Sequence, residues 1–430
     1  MSSRPKSEHI GGGAPELPIE RQLFKHSGVG LIPSDWVVQR IGDIAEVGRG
    51  RVISQREIAA AITPEYPVYS SQTSDDGVMG YLDSYDFDGE YVTWTTDGVN
   101  AGTVFYRNGK FNCTNVCGTI RLHHDNHYLV SRVLARFTPQ FVSRNLANPK
   151  LMNDVLKEIR IPLPATVEEQ RAVAAVLSEF DALVDGLQSL IAKKRAVSRA
   201  TARQLLAGQR RLPQFRGQMG RCRATPAGTI PDDWELSSLG SVADLLTGYP
   251  FPSRLYSDSG VRLLRGSNVK RGYLDWSDGI TEYWPSVNSD VERYLLKEGD
   301  LVVAMDGALV GKSYAVITSS DLPCLLLQRV SRLRAKCVDA RFLPCLLSGD
   351  SFAKYVDSVK TETAIPHITS RDVDRFPVVL PHRMEEQRAI ADVLADMNAE
   401  IAALDRRRKK TQAIQRGIAQ ALLTGRVRLI

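Results

Sequence analysis

The sequence predicts an α+β protein made as a tandem repeat: two strand-rich, mixed α/β domains joined by two long antiparallel coiled-coil helices with pseudo-twofold symmetry. Three observations carry that expectation. The segment GLIPSDWVVQRIGDIAEVGRG from Gly30 returns as GTIPDDWELSSLGSVADLLTG from Gly228. The segment PATVEEQRAVAAVLSEFDALVDGL from Pro164 returns as PHRMEEQRAIADVLADMNAEIAAL from Pro381, without a gap as far as the Leu-Leu-x-Gly endings at Gly208 and Gly425. Between these anchors lie short β-like runs broken by turn dipeptides, so the order is variable block, long helix, variable block, long helix.

Taken in order, residues 1–24 read as a leader with Gly and Pro and no apolar stretch of the kind a secretory signal needs. Residues 25–160 form the first domain, with runs such as EYVTWTT and GTVFYRNG between Asp-Gly and Asn-Gly turns. Its polar loop YSSQTSDDG offers Ser71, Gln72 and Thr73, and Asn100, Lys110 and Asn115 join them as candidate DNA contacts. Residues 161–212 form the first helical spacer, opened by a Thr166-x-x-Glu169 capping box. Residues 213–375 form the second domain, with strand-like DLVVAM, SYAVIT and CLLLQRVSRL. Its candidate contacts are Arg265, Ser267, Asn268, Lys270 and Arg271 in LLRGSNVKRG, with Lys312, Gln328 and Arg329. Arginine suits guanine, and asparagine or glutamine suits adenine, because each matches two groups on the base edge. Residues 376–430 form the second spacer, whose start lacks the capping threonine. Gly208 and Gly425 sit where left-handed helix caps belong, and Trp36 and Trp234 read as packing anchors.

In the helices, Val173, Val176, Leu177, Phe180, Leu183, Val184, Leu187, Leu190, Ile191 and Val197 recur at three-then-four spacing. The second copy has Ile390, Val393, Leu394, Met397, Ile401, Leu404, Ile414 and Ile418. Each helix of about 40 residues is about 60 Å long and needs a partner for its stripe. The other copy supplies it within one chain; a homodimeric coiled coil is the competing arrangement. The basic residues Lys193 to Arg195, Arg199, Arg203, Arg406 to Lys410 and Arg416 read as a solvated face or a contact for phosphates or an acidic partner.

Composition narrows the classes. At 430 residues, 43% hydrophobic and 24% charged, the chain is a multidomain globular protein with no membrane-spanning run. A net charge of +6 is compatible with nucleic acid without requiring it. The six cysteines, at 113, 117, 222, 324, 337 and 345, lack zinc spacing and read as reduced thiols in a cytoplasmic protein. His123, His124 and His127 read as a polar loop after a strand, with no metal.

DGALVGKS, Asp306 to Ser313, resembles a phosphate-binding loop and motivates a nucleotide hydrolase as the enzymatic alternative. It has three residues, not four, between its glycines, and strand-like YAVITSS follows where a helix is needed. DGVNAGTVF from Asp97 is its counterpart without the lysine, so the pair reads as a duplicated turn between strands. A coiled-coil scaffold with no DNA role is the structural alternative.

The LP…EEQR-A-(V/I)-A helix starts at Leu163 and Leu380, the LL-x-G ends, the IP-x-D-W openings and GDLVVAMDGALVGK resemble the specificity subunit of a type I restriction–modification system over residues 25–430. The resemblance implies a non-catalytic subunit with two target-recognition domains, each reading half of a split site in double-stranded DNA. It implies docking of two methyltransferase subunits that use S-adenosylmethionine and, in the full complex, of two ATP- and Mg-dependent nuclease/translocase subunits. No cofactor is expected on this chain, which has neither an Asn-Pro-Pro-Tyr motif nor a Gly-rich cofactor loop opening a βαβ unit.

Overall fold

A computed structural model describes residues 23–124, 126–143, 148–218 and 221–429; the expected leader, residues 1–24, lies almost wholly outside them. The chain divides into two compact units, residues 1–186 with 407–430, and residues 187–406. Each unit therefore takes part of both long helices.

In the first unit the strands are β1 (Phe24–Ser27), β2 (Gly30–Pro33), β3 (Val37–Arg40), β4 (Ala45–Arg49), β5 (Tyr66–Tyr69), β6 (Val78–Leu82), β7 (Phe87–Thr95), β8 (Val104–Cys113), β9 (Cys117–Leu122) and β10 (Arg160–Leu163). A six-stranded sheet runs β4-β9-β7-β8-β5-β6, antiparallel except where β5 meets β8. β10 pairs with β3, Val37 opposite Leu163, so the Leu-Pro ahead of the first long helix is the end of a strand belonging to the domain. Helix His127–Phe141 lays Leu129, Val130, Val133 and Leu134 on Val92, Trp94 and Ile120. His127 is no loop residue: it is buried at the start of this helix, where its Nε2 accepts from the Leu122 amide at 2.9 Å.

The second unit contains β11 (Cys222–Thr225), β12 (Gly228–Pro231), β13 (Trp234–Ser238), β14 (Ala243–Thr247), β15 (Val261–Leu264), β16 (Glu282–Trp284), β17 (Leu301–Ala304), β18 (Tyr314–Val316), β19 (Cys324–Leu326), β20 (Val330–Ala335) and β21 (Pro377–Pro381). Its strands form a four-stranded sheet β14-β20-β17-β18 and a three-stranded sheet β16-β15-β19, with β13 paired to β21. Helix Asp350–Val359 buries Phe352 and Val356 in the core beneath the larger sheet.

The long helices span Val167–Leu206 and Met384–Leu423. Gln415 donates to Asp181 in the first unit, and Lys194 meets Glu400 at 2.7 Å in the second. Numbers that fall in one helix as they rise in the other make the pairing antiparallel and intramolecular. Val173, Leu177, Val184, Leu187 and Ile191 are buried, whereas Leu183, Leu190, Val197 and Ile414 are exposed. The buried seam is thus narrower than the full apolar stripe, because packing between two helices covers mainly the residues at heptad spacing. The capping box is half made: Thr166 Oγ1 accepts from the Glu169 amide at 3.3 Å, but the Glu169 carboxylate turns to Arg428.

Each unit is closed by the same constellation. In the first, Arg428 donates to Glu169 and Asp35. In the second, Arg211 donates to Glu386 and Asp233. Each arginine follows the glycine cap of one helix, each glutamate opens the other, and each aspartate belongs to an Ile-Pro-x-Asp-Trp segment. Both caps are left-handed, φ +66° at Gly208 and +68° at Gly425. A Cβ at Gly208 would lie 2.6 Å from Pro231, and one at Gly425 would collide with Pro33. Trp36 and Trp234, buried beside these caps, are the expected anchors.

Candidate nucleic-acid interface

In the first domain the polar loop is the β5–β6 connection. Its backbone turns sharply: Asp75, Asp76 and Gly77 all have positive φ, at 48°, 53° and 82°. Ser71 and Gln72 are half-buried, Thr73 is exposed, and the Gln72 amide nitrogen is spent on the Val78 carbonyl. Asn100, from the Asp97–Gly102 turn, donates to Thr73 Oγ1 at 3.0 Å, so two loops distant in sequence meet. Asn115 is exposed in the β8–β9 turn, and the preceding Thr114 amide donates to Tyr69 at the start of the polar loop. Lys110 stands apart, its ammonium 4.5 Å from the Tyr85 ring centre; contact with the Tyr85 hydroxyl raises its pKa and keeps it charged.

In the second domain the turn after β15 carries Arg265, Ser267, Asn268, Lys270 and Arg271. Asn268 is 0% exposed, accepting from the Arg265 amide at 3.0 Å and donating to the Asp275 carbonyl at 2.9 Å. Both ends of its amide are engaged, so it shapes the turn and has nothing left for a base edge. Arg265 pairs with Glu282 at 3.1 Å, and Lys270 lies 3.8 Å from Asp275. The Asp275 carboxyl is held below its ordinary range by the Ser277 amide first and Lys270 after it. Ser267 and Arg271 are exposed, and the backbone of Arg271 bridges to Tyr314 just past Lys312. Arg329, in a left-handed conformation at φ 68°, reaches Asp306 at 3.2 Å, and Gln328 beside it is exposed. Gly266 packs close to the same Asp306. Gly266 and Arg329 thus meet at Asp306, and the bridge from Arg271 to Tyr314 ties in the turn that carries Lys312.

DGALVGKS is a turn between β17 and β18, with strand at Tyr314–Val316 where a nucleotide loop would need a helix. Gly307 and Gly311 match Gly98 and Gly102 in positive φ. In both domains this turn docks on an X-Pro segment: the Gly98 amide donates to Pro149 and the Gly307 amide to Pro366, each at 3.0 Å. Sequence reasoning found the turns and missed their proline partners; the signal was a Pro followed by a basic residue, Pro149-Lys150 and Pro366-His367. It also missed Arg107, which lies on a strand interior where no loop chemistry points to it.

Among the described residues no group of three His, Cys, Asp or Glu side chains is placed to hold a metal ion. Cys113 and Cys117 are free thiols, Sγ to Sγ 3.3 Å. No helix among the described residues is long and apolar enough to cross a membrane.

Comparison with known proteins places this geometry. The family model for the type I restriction modification DNA specificity domain matches twice, over residues 33–193 and 231–413. A Methanocaldococcus jannaschii protein named type I restriction enzyme MjaVIII specificity subunit is 26% identical over 95% of this chain and 97% of its own length. The type I restriction enzyme EcoAI specificity subunit of Escherichia coli is 35% identical over 38% of this chain and 28% of its own. The crystal structure of a type I restriction–modification S subunit from M. genitalium shares the fold, with a TM-score of 0.61 at 15% identity, covering 90% of this chain and 96% of that one.

Proposed function

Since this chain belongs to the type I restriction–modification DNA specificity family, whose members are non-catalytic DNA-recognition subunits, we propose that it reads a bipartite site, one half per domain, and docks two methyltransferase subunits. The observation that carries this reading is the partition between what repeats and what differs. Residues shared by the two halves are the closures, Arg428–Glu169–Asp35 and Arg211–Glu386–Asp233, while the loops beside Thr73 and around Asp306 have different chemistry. Two different loop sets suit two different half-sites, and two like frames suit two copies of one partner. Glu168 and Glu385, Lys193 and Lys410, and Arg199 and Arg416 are repeated exposed charges engaged in no ion pair among the described residues. They are the proposed contacts for that twice-present partner, and the length of the helices sets the gap between half-sites.

The proposed base contacts are Ser71, Gln72 through Oε1, Thr73, Asn100 and Asn115 in one domain and Ser267, Arg271, Gln328 and Arg329 in the other, with Lys110 and Lys312 as phosphate contacts. Exchange of residues 25–160 for the equivalent block of another family member, in complex with the methyltransferase subunit, tests the reading. Mapping of methylated adenines should then show one half of the motif changed and the other retained. Change in both halves, or in neither, refutes one domain per half-site.

A further inference from the structure

Arg107 sits in the middle of β8 with 3% of its side chain exposed, and nothing in the sheet requires a charge there. Its guanidinium lies between two rings, 3.6 Å from the centre of Tyr69 and 4.4 Å from that of Phe105. Nε donates to Thr93 Oγ1 at 3.3 Å, Nη2 to the Asp76 carbonyl at 2.6 Å, and Nη1 to the Asp76 carboxylate. All three bonds start from one planar group held by aromatic faces, so its direction is fixed before any loop arrives. What it fixes is an uncommon backbone: Asp75 and Asp76 are consecutive non-glycine residues in the left-handed region. The Ser70 amide closes the loop onto the Gly77 carbonyl at 3.0 Å, and a Cβ on Gly77 would lie 3.2 Å from Arg107 Nη2.

Resting on the reading that this domain contacts DNA, we propose that Arg107 is the positioning residue for the first half-site: it clamps Asp76 so that Ser70–Gly77 presents Ser71, Gln72 Oε1 and Thr73 in one shape. The loop adds little to the core, since Ser71 to Asp76 are polar and Thr73 to Asp76 are exposed. Loosening it costs discrimination before it costs folding. In the second domain the buried amide of Asn268 shapes the turn after β15, so the two domains hold their loops by different chemistry and the effect is confined to one half.

The test uses the full chain purified with its methyltransferase subunit and duplexes bearing the methylation motif mapped for that complex. Affinity is measured for the intact motif, for the motif with the first half substituted, and for the motif with the second half substituted. Arg107→Met, which keeps apolar bulk between the two rings, should lower first-half discrimination about tenfold or more and leave second-half discrimination unchanged. Asp76→Ala removes the carboxylate half of the clamp and should give the same one-sided loss. It also leaves the buried Arg107 guanidinium one acceptor short, so the unfolding midpoint falls, and the retained second-half discrimination separates the clamp from a general loss of folding. Wild-type discrimination in Asp76→Ala, or an equal loss at both halves in either variant, overturns the proposal. The domain exchange described above is read separately: if it moves neither half-site, the failure lies with the assignment of domains to half-sites and not with Arg107.

Discussion

The closure of the second unit can be tested by removing one charge. Arg211 is 0% exposed in its side chain and Glu386 is 2% exposed, and the two are joined by a forked pair, with a further bond of 2.8 Å to Asp233. Taking the arginine away leaves a carboxylate buried without its partner, and breaking a buried pair of this kind costs about 3–5 kcal/mol. With a urea m-value of about 3 kcal/mol/M for a unit of this size, Arg211→Ala should lower its unfolding midpoint by about 1–1.7 M. Hydrogen exchange followed by mass spectrometry separates the units: peptides from residues 187–406 should lose protection while those from 25–160 keep theirs. The double variant Arg211→Met/Glu386→Leu should recover most of the loss, since apolar groups of similar volume need no partner. A midpoint within about 0.3 M of wild type for Arg211→Ala would mean that water reaches Glu386, and would refute the reasoning.

Other outcomes follow from the same geometry. Gly208→Ala places a Cβ 2.6 Å from Pro231 on a backbone at φ +66°, and should destabilise its unit by about 2 kcal/mol or more in calorimetry. The Asp35 carboxyl is held below its ordinary value of 3.8, first by its hydrogen bond to Arg428. A depressed folded pKa stabilises above the unfolded value and is lost as pH falls through the folded one. Arg428→Met should therefore flatten the acid-side loss of first-unit stability below about pH 4 in a denaturation series. Lys312→Ala should weaken DNA binding evenly across sequences and lower the salt slope by about one, while nucleotide titrations show no binding before or after the change. Glu168→Gln with Glu385→Gln should weaken methyltransferase binding in analytical ultracentrifugation while costing the isolated chain at most about 1 kcal/mol per helix, since each glutamate lies in a first helical turn.

The frame was legible in the sequence because its signals are local and occur twice. The stripe from Val173 to Ile191, the left-handed caps at Gly208 and Gly425 and the anchors Trp36 and Trp234 all follow from residue type and spacing. The turn reading of DGALVGKS was legible for the same reason, since Asp97–Gly102 repeats it. The site was legible only in part. Asn268 has the right chemistry for a base edge, yet its amide is consumed by Arg265 and Asp275, which residue type does not reveal. His127 reads as a loop residue until the Leu122 amide is found on its ring.

By itself the sequence determined the tandem plan, the apolar stripes of the two long helices and the family they resemble, because heptad spacing and duplicated motifs are properties of one dimension. That the helices pair antiparallel within one chain came from the contacts of Gln415 with Asp181 and of Lys194 with Glu400. Only the tertiary structure decided that Arg428 closes the unit begun by Asp35, that Asn100 meets Thr73, and that Arg107 holds Asp76. The last two pairings depend on strand register, above all the parallel meeting of β5 with β8, which brings together chain segments some 40 residues apart. Register is set by how a whole sheet buries its faces, and no local pattern encodes it.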